Sequence, residues 1–172
     1  MKIIYLSFLL LFFGAVPQSL RAQCLSLADL MAIGAEPTAL AAPEEITKYL
    51  AAEWSYKAPS ATSREAFWTY PAAEDLTLPL TRLSVRAQRL GQDVVLKTTD
   101  ASCIRGLRSE LKSKKLTAEP VTCLSCEGVR YKGLDFEATI YSQMKGDYPF
   151  VVVVHQVPPI VSGPAAKDSG VK

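Results

Sequence analysis

The sequence predicts an α+β domain, an antiparallel sheet with helices packed on one face. Three observations predict it. Stretches with helical spacing of apolar residues open on capping residues, the strand-like stretches alternate apolar and polar residues as half-buried antiparallel strands do, and 49% of the 172 residues are hydrophobic against 21% charged and 9% aromatic. A chain with 9 Gly and 11 Pro at that hydrophobic fraction is neither collagen-like, coiled-coil nor fully disordered.

Lys2 supplies a positive start, Ile3 to Val16 is apolar apart from Ser7 and Gly14, and Pro17 ends any helix. This is the pattern of a secretory signal peptide over residues 1–22, cleaved after Ala22. The apolar run is shorter than the roughly 20 residues needed to cross a hydrocarbon core, so no transmembrane anchor is expected. A lipid anchor at Cys24 is the lesser alternative, because Arg21 and Gln23 depart from the small-residue pattern that precedes a lipidated cysteine. Of the 19 Lys and Arg, Lys2 and Arg21 fall in the leader, leaving 17 against 17 Asp and Glu, a neutral mature chain with no nucleic-acid signal. The basic cluster Arg105, Arg108, Lys112, Lys114 and Lys115 reads as the solvated face and C-terminal end of a helix.

The mature chain, residues 23–157, reads as one α+β domain. Ser26 caps a helix over Leu27 to Ile33, with Asp29 in its first turn and Gly34 as the stop. Pro43, Glu44 and Glu45 open a second helix to about Glu53, with Ile46, Tyr49 and Leu50 on one stripe. Trp54 and Tyr56, then Phe67, Trp68 and Tyr70, then Leu83, Val85 and Ala87, mark strands. Gly91-Gln92 turns the chain into Val94-Val95-Leu96, and Asp100 caps a third helix carrying Ile104, Leu107 and Leu111. Val129 and Tyr131 begin the next strands, and Leu134, Phe136, Ala138 and Ile140 alternate with polar neighbours. After Lys145-Gly146-Asp147 come Phe150 and four valines, which read as a central strand buried on both faces. Residues 158–172 read as a disordered tail.

A helix followed by a strand meander thus occurs twice, over 43–99 and 100–157, at an offset of 57 that maps Leu50 onto Leu107, Leu83 onto Ile140 and Val94 onto Val151. In element order this resembles the β-lactamase-inhibitor-type proteins. The resemblance rests on no shared motif and carries no residue of that family onto this chain.

Four cysteines in an exported chain imply disulfides. Cys123 and Cys126 can join only if Leu124-Ser125 makes a turn, since three residues of strand span about 10 Å against the roughly 7 Å a disulfide tolerates. Pro120 and Gly128 make that turn plausible, which favours Cys24 with Cys103 and Cys123 with Cys126 over the other two pairings. The same C-x-x-C could cycle as a redox pair if its first thiolate sat at a helix N-terminus, but its flanks read as strand or loop. Glu127 stands where covalent haem attachment needs His, and the ligand spacing falls short of a zinc site. The lone His155 would need a nucleophile and a carboxylate brought to it, and no G-x-S-x-G occurs. No catalytic residue, metal or cofactor is therefore expected.

Phe67 and Trp68 are consecutive on a strand, so one ring must leave the helix-covered side. The reading that follows is a non-catalytic binding or structural domain, periplasmic or extracellular, acting on an unknown protein or envelope component through the exposed side of its sheet. Trp68, Tyr70, Arg86 and Tyr141 are the candidate binding residues. The alternative is a periplasmic thiol-disulfide protein using Cys123 and Cys126.

Overall fold

The structure is a computed structural model and describes residues 23–61, 63–70 and 78–156. The signal-peptide reading of residues 1–22 and the tail reading of 158–172 lie outside these residues.

Helix α1 (Leu27–Gly34) opens on a capping box in which the Ser26 side chain accepts from the Asp29 N–H and the Asp29 carboxylate accepts from the Ser26 N–H. Its apolar side, Leu27, Leu30 and Ile33, is buried. Gly34, expected just past the helix, is its last residue, and a Cβ there would collide with Gln156 Oε1. The second helix is not an α-helix to Glu53 but a 3₁₀ helix, Pro43–Tyr49. Ala42 offers no side-chain cap, Pro43 lacks an N–H, Ile46 is its one buried residue, and Leu50 is already extended. Helix α2 (Ala101–Ser113) starts where expected, with the Asp100 carboxylate accepting from the Ser102 N–H at 2.7 Å, and buries Ile104, Leu107 and Leu111. Its Glu110 carboxylate accepts from the Leu27 N–H at 2.9 Å, and the Cys24–Cys103 disulfide joins the approach to α1 to the first turn of α2.

Among the described residues, eight strands form one antiparallel sheet: β1 (Ser55–Lys57), β2 (Phe67–Tyr70), β3 (Thr81–Gln88), β4 (Gly91–Thr98), β5 (Thr117–Cys123), β6 (Cys126–Lys132), β7 (Phe136–Ser142) and β8 (Phe150–Gln156). Their order is β1-β2-β3-β4-β8-β7-β6-β5, two meanders joined by pairing β4 with β8. One helix group precedes each meander, α1 and the 3₁₀ helix before β1 and α2 before β5. The offset of 57 keeps Leu83 and Ile140 on the same side, since both are core residues. Val94, however, lies in the core while Val151 projects from the other face, because the short Arg89-Leu90 turn of the first meander corresponds to the longer connection 143–149 in the second.

The core lies between the helices and one face of the sheet. Leu27, Leu30, Ile33, Ile104, Leu107 and Leu111 meet Trp68, Leu83, Val94, Leu96, Ile140, Val152 and Val154 in one cluster. Strand β5 adds an edge that the period of the sequence did not announce. Pro120 and Glu119 interrupt any apolar alternation, and an edge strand is where a proline costs no ladder hydrogen bond inside the sheet. Leu134, expected within β7, is instead fully exposed in the turn before it.

Candidate functional site

The face of the sheet opposite the helices follows from register. One row across it reads Lys57, Phe67, Ser84, Val95, Val153, Thr139, Arg130 and Glu119. The neighbouring rows read Ser55, Thr69, Arg82, Lys97, Val151, Tyr141, Gly128 and Val121, and on the other side Arg86, Asp93, His155, Glu137, Lys132 and Thr117. All the helices pack into the cluster on the other side, so no described helix covers these rows. The middle of this open face is nevertheless dry: Ser84, Val95 and Thr139 are buried, and Val151 and Val153 half-buried, among the longer side chains around them.

Two of the four candidate binding residues stand on the open face. Arg86 is exposed there and pairs with Glu65 at 3.1 Å. Tyr141 is half-buried, its ring lying over Gly128, where a Cβ would meet it at 3.2 Å. The other two require correction. Trp68 is fully buried on the helix side, next to Leu83 in register, and its indole N–H donates to the Thr47 hydroxyl at 3.2 Å. Tyr70 has the same parity and packs edge-on to Trp54 at 5.9 Å. The ring that leaves the core is Phe67. The indole has the larger apolar surface to bury and finds a partner for its N–H in the Thr47 hydroxyl of the 3₁₀ helix, which decides the parity against Trp68.

Residues missed by the sequence reading give this face its charge. Arg82 lies over the Phe67 ring, 3.7 Å from the centroid. Lys97 is its register partner on β4. Burial, then Arg86 and Arg82, push the Lys97 ammonium below the usual lysine range. Elsewhere on the face Arg130 pairs with Glu137 at 3.0 Å and Lys132 with Glu119 at 2.8 Å, and His155 Nδ1 lies 2.8 Å from an Asp93 carboxylate oxygen. Asp93 also accepts from the Gln88 side chain. Neither Arg82 nor Lys97 has a carboxylate within ion-pair distance among the described residues. The signal for both was available, since each is out of step with a core residue beside it, Leu83 or Leu96. That they meet depends on the β3–β4 register.

The two disulfides pair as favoured. Cys24–Cys103 has a Cα separation of 5.0 Å and Cys123–Cys126 one of 5.5 Å. The second closes the β5–β6 hairpin through the Leu124-Ser125 turn, with Ser125 at φ 71°. Cys123 therefore ends a strand, and among the described residues no helix N-terminus stands behind it to favour a thiolate. No protein family, curated protein or solved structure matches this chain.

Proposed function

We propose that this chain is an exported, disulfide-stapled binding domain that docks a protein partner on the open face of its sheet and performs no catalysis. One observation carries the reading. Strand β8 has the four-valine sequence of a strand buried on both faces, yet only Val152 and Val154 lie under the helices. Val151 and Val153 face outward at the centre of an eight-stranded sheet, where a partner would complete their burial. The two disulfides suit an oxidising compartment, in keeping with the signal-like leader. The order helix then meander, twice over, supports placing the chain with the β-lactamase-inhibitor-type architecture, as a likeness of element order alone.

The test is photocrosslinking in the native cells, with a benzoylphenylalanine placed at Val153 on the open face or at Lys112 on the solvent side of α2. A discrete adduct from position 153 and none from 112 is expected, and it should survive Cys123→Ser/Cys126→Ser. The intact mass of the recovered protein should begin at Gln23. Adducts from 112 alone, adducts from both positions alike, or none from 153 overturn the docking face; loss of the adduct in the cysteine variant returns the redox reading; a mass that retains residues 1–22 overturns export by cleavage.

A further inference from the structure

We propose that the cleft between Arg82, Lys97 and Tyr148 is an anion-binding subsite of the open face, taking a carboxylate side chain from an acidic segment of the protein partner; this rests on the reading of that face as the docking surface. The cleft has a volume of about 210 Å³. Its floor is Val151 on β8, one wall is the Arg82–Lys97 register pair, and the other is the connection 143–149 with Met144, Lys145, Asp147 and Tyr148.

Two cations directly opposite each other on adjacent strands destabilise a sheet unless an anion joins them. Among the described residues, the acids of this face are engaged elsewhere: Glu65 with Arg86, Asp93 with His155, Glu137 with Arg130, and Glu119 with Lys132. Asp147 is the one acid among the described residues that line the cleft, against Arg82, Lys97 and Lys145. The arrangement has the form of a site that waits for negative charge. The depressed ammonium of Lys97 agrees, because an incoming carboxylate would oppose the burial and the two guanidinium groups that now disfavour its charge.

The chemistry fits a carboxylate on a polypeptide. The Arg82 guanidinium lies over the Phe67 ring and one of its end nitrogens donates to the Ser63 hydroxyl at 3.5 Å, which positions the group and leaves its other N–H groups as donors for a carboxylate. Tyr148 adds a hydroxyl, and the flanking Val151 and Val153 suit an acidic residue set between apolar ones along an extended segment.

The probe is a short peptide alternating valine and glutamate, with its glutamine counterpart and inorganic phosphate as controls, titrated into the isotope-labelled mature chain and followed by the backbone amide resonances. The glutamate peptide should bind roughly tenfold or more tighter than the glutamine peptide, moving the resonances of residues 82, 97, 148 and 151. Arg82→Gln/Lys97→Gln should abolish that preference, and Lys97→Arg, which keeps the charge, should retain it. Equal binding of the two peptides, an undiminished preference in the double glutamine variant, or saturation of the same resonances by phosphate as readily as by the peptide overturns the subsite. Crosslinking from Val153 without a glutamate preference would remove the subsite and leave the docking face. A glutamate preference without crosslinking would do the reverse, leaving an anion site that is not part of a docking face.

Discussion

The side-chain amide of Gln92, at the start of β4, donates to the carbonyls of Gly34 at 2.7 Å and Glu36 at 3.0 Å, and so holds the C-terminal end of α1 against the sheet. Gln92 is 2% exposed, so these bonds are made where water cannot replace them. Gln92→Leu fills the same space and removes the donor, leaving the Gly34 carbonyl at a buried helix end without it. A loss of about 1–3 kcal/mol in urea unfolding is expected. A variant as stable as the parent would show that these bonds contribute nothing net.

Trp68 and Phe67 separate the two faces by experiment. Trp68→Ala empties the middle of the core and costs about 3–5 kcal/mol. Phe67→Ala removes a half-buried ring on the open face, and its cost should stay well below that, near the 1 kcal/mol typical of point substitutions. Thermal or urea unfolding of both variants decides it, and a larger loss at Phe67 would reverse the assignment of faces.

The same pair shows how far the sequence could be read. Alternation requires that Phe67 and Trp68 point apart, but which one enters the core depends on register with Leu83 and on the Thr47 hydroxyl for the indole, both supplied by distant parts of the chain. Helix α2 and strands β3, β4, β7 and β8 were legible, because caps and alternating apolar residues are local signals. Strand β5 was not, because an exposed edge carries no core-facing period and Pro120 reads as a break. The pairing of Cys123 with Cys126 followed from the reach of a turn. The meeting of Arg82 with Lys97 did not, since it requires knowing that the chain reverses at Arg89-Leu90 and not one residue away.

The two disulfides should differ in what they contribute. Cys24–Cys103 spans a sequence separation of 79, and the loop-closure argument assigns it about 4 kcal/mol. Cys123–Cys126 spans 3, for which the same argument gives about 2 kcal/mol, and the hairpin ladder already holds its ends together. Paired Cys→Ser variants of each bridge, compared in urea, should show the greater loss for the long link. A greater loss at the hairpin would mean that the loop argument does not govern this fold.

Glu36 ties stability to pH. Its carboxylate accepts from the Lys48 ammonium at 2.8 Å, the Thr38 hydroxyl at 2.7 Å and the Tyr49 hydroxyl at 2.9 Å, and these, Lys48 foremost, hold it down to about 2 from an ordinary value of 4.5. A carboxyl with a lowered pKa contributes stability that is fully present above its unfolded value and is lost as pH falls through the folded one. The parent should therefore exceed Glu36→Gln in stability at pH 6, and the gap should close between about pH 4.5 and pH 2. Unfolding curves of both proteins across that range test it. Because other carboxylates titrate there too, the difference between the two proteins is the quantity that reports on Glu36, and a gap that stays constant with pH would refute the role given to its partners.

The valines of β8 give the sharpest contrast between stability and surface. Val154 is 0% exposed beneath α1, whereas Val153 is half-buried on the open face, one residue away on the same strand. Val→Thr keeps the β-branched shape that a strand prefers and exchanges a methyl for a hydroxyl, so its cost reports the surroundings of the side chain more than the backbone. At Val154 the hydroxyl would be buried among apolar groups, and a loss of about 1–3 kcal/mol is expected. At Val153 the change should stay within about 0.5 kcal/mol in the isolated protein, since that face has no helix over it. Urea unfolding of the two variants measures both. Equal losses at the two positions would mean that the outer valines are already sealed within the chain itself, and the case for a partner covering them would fall with that result.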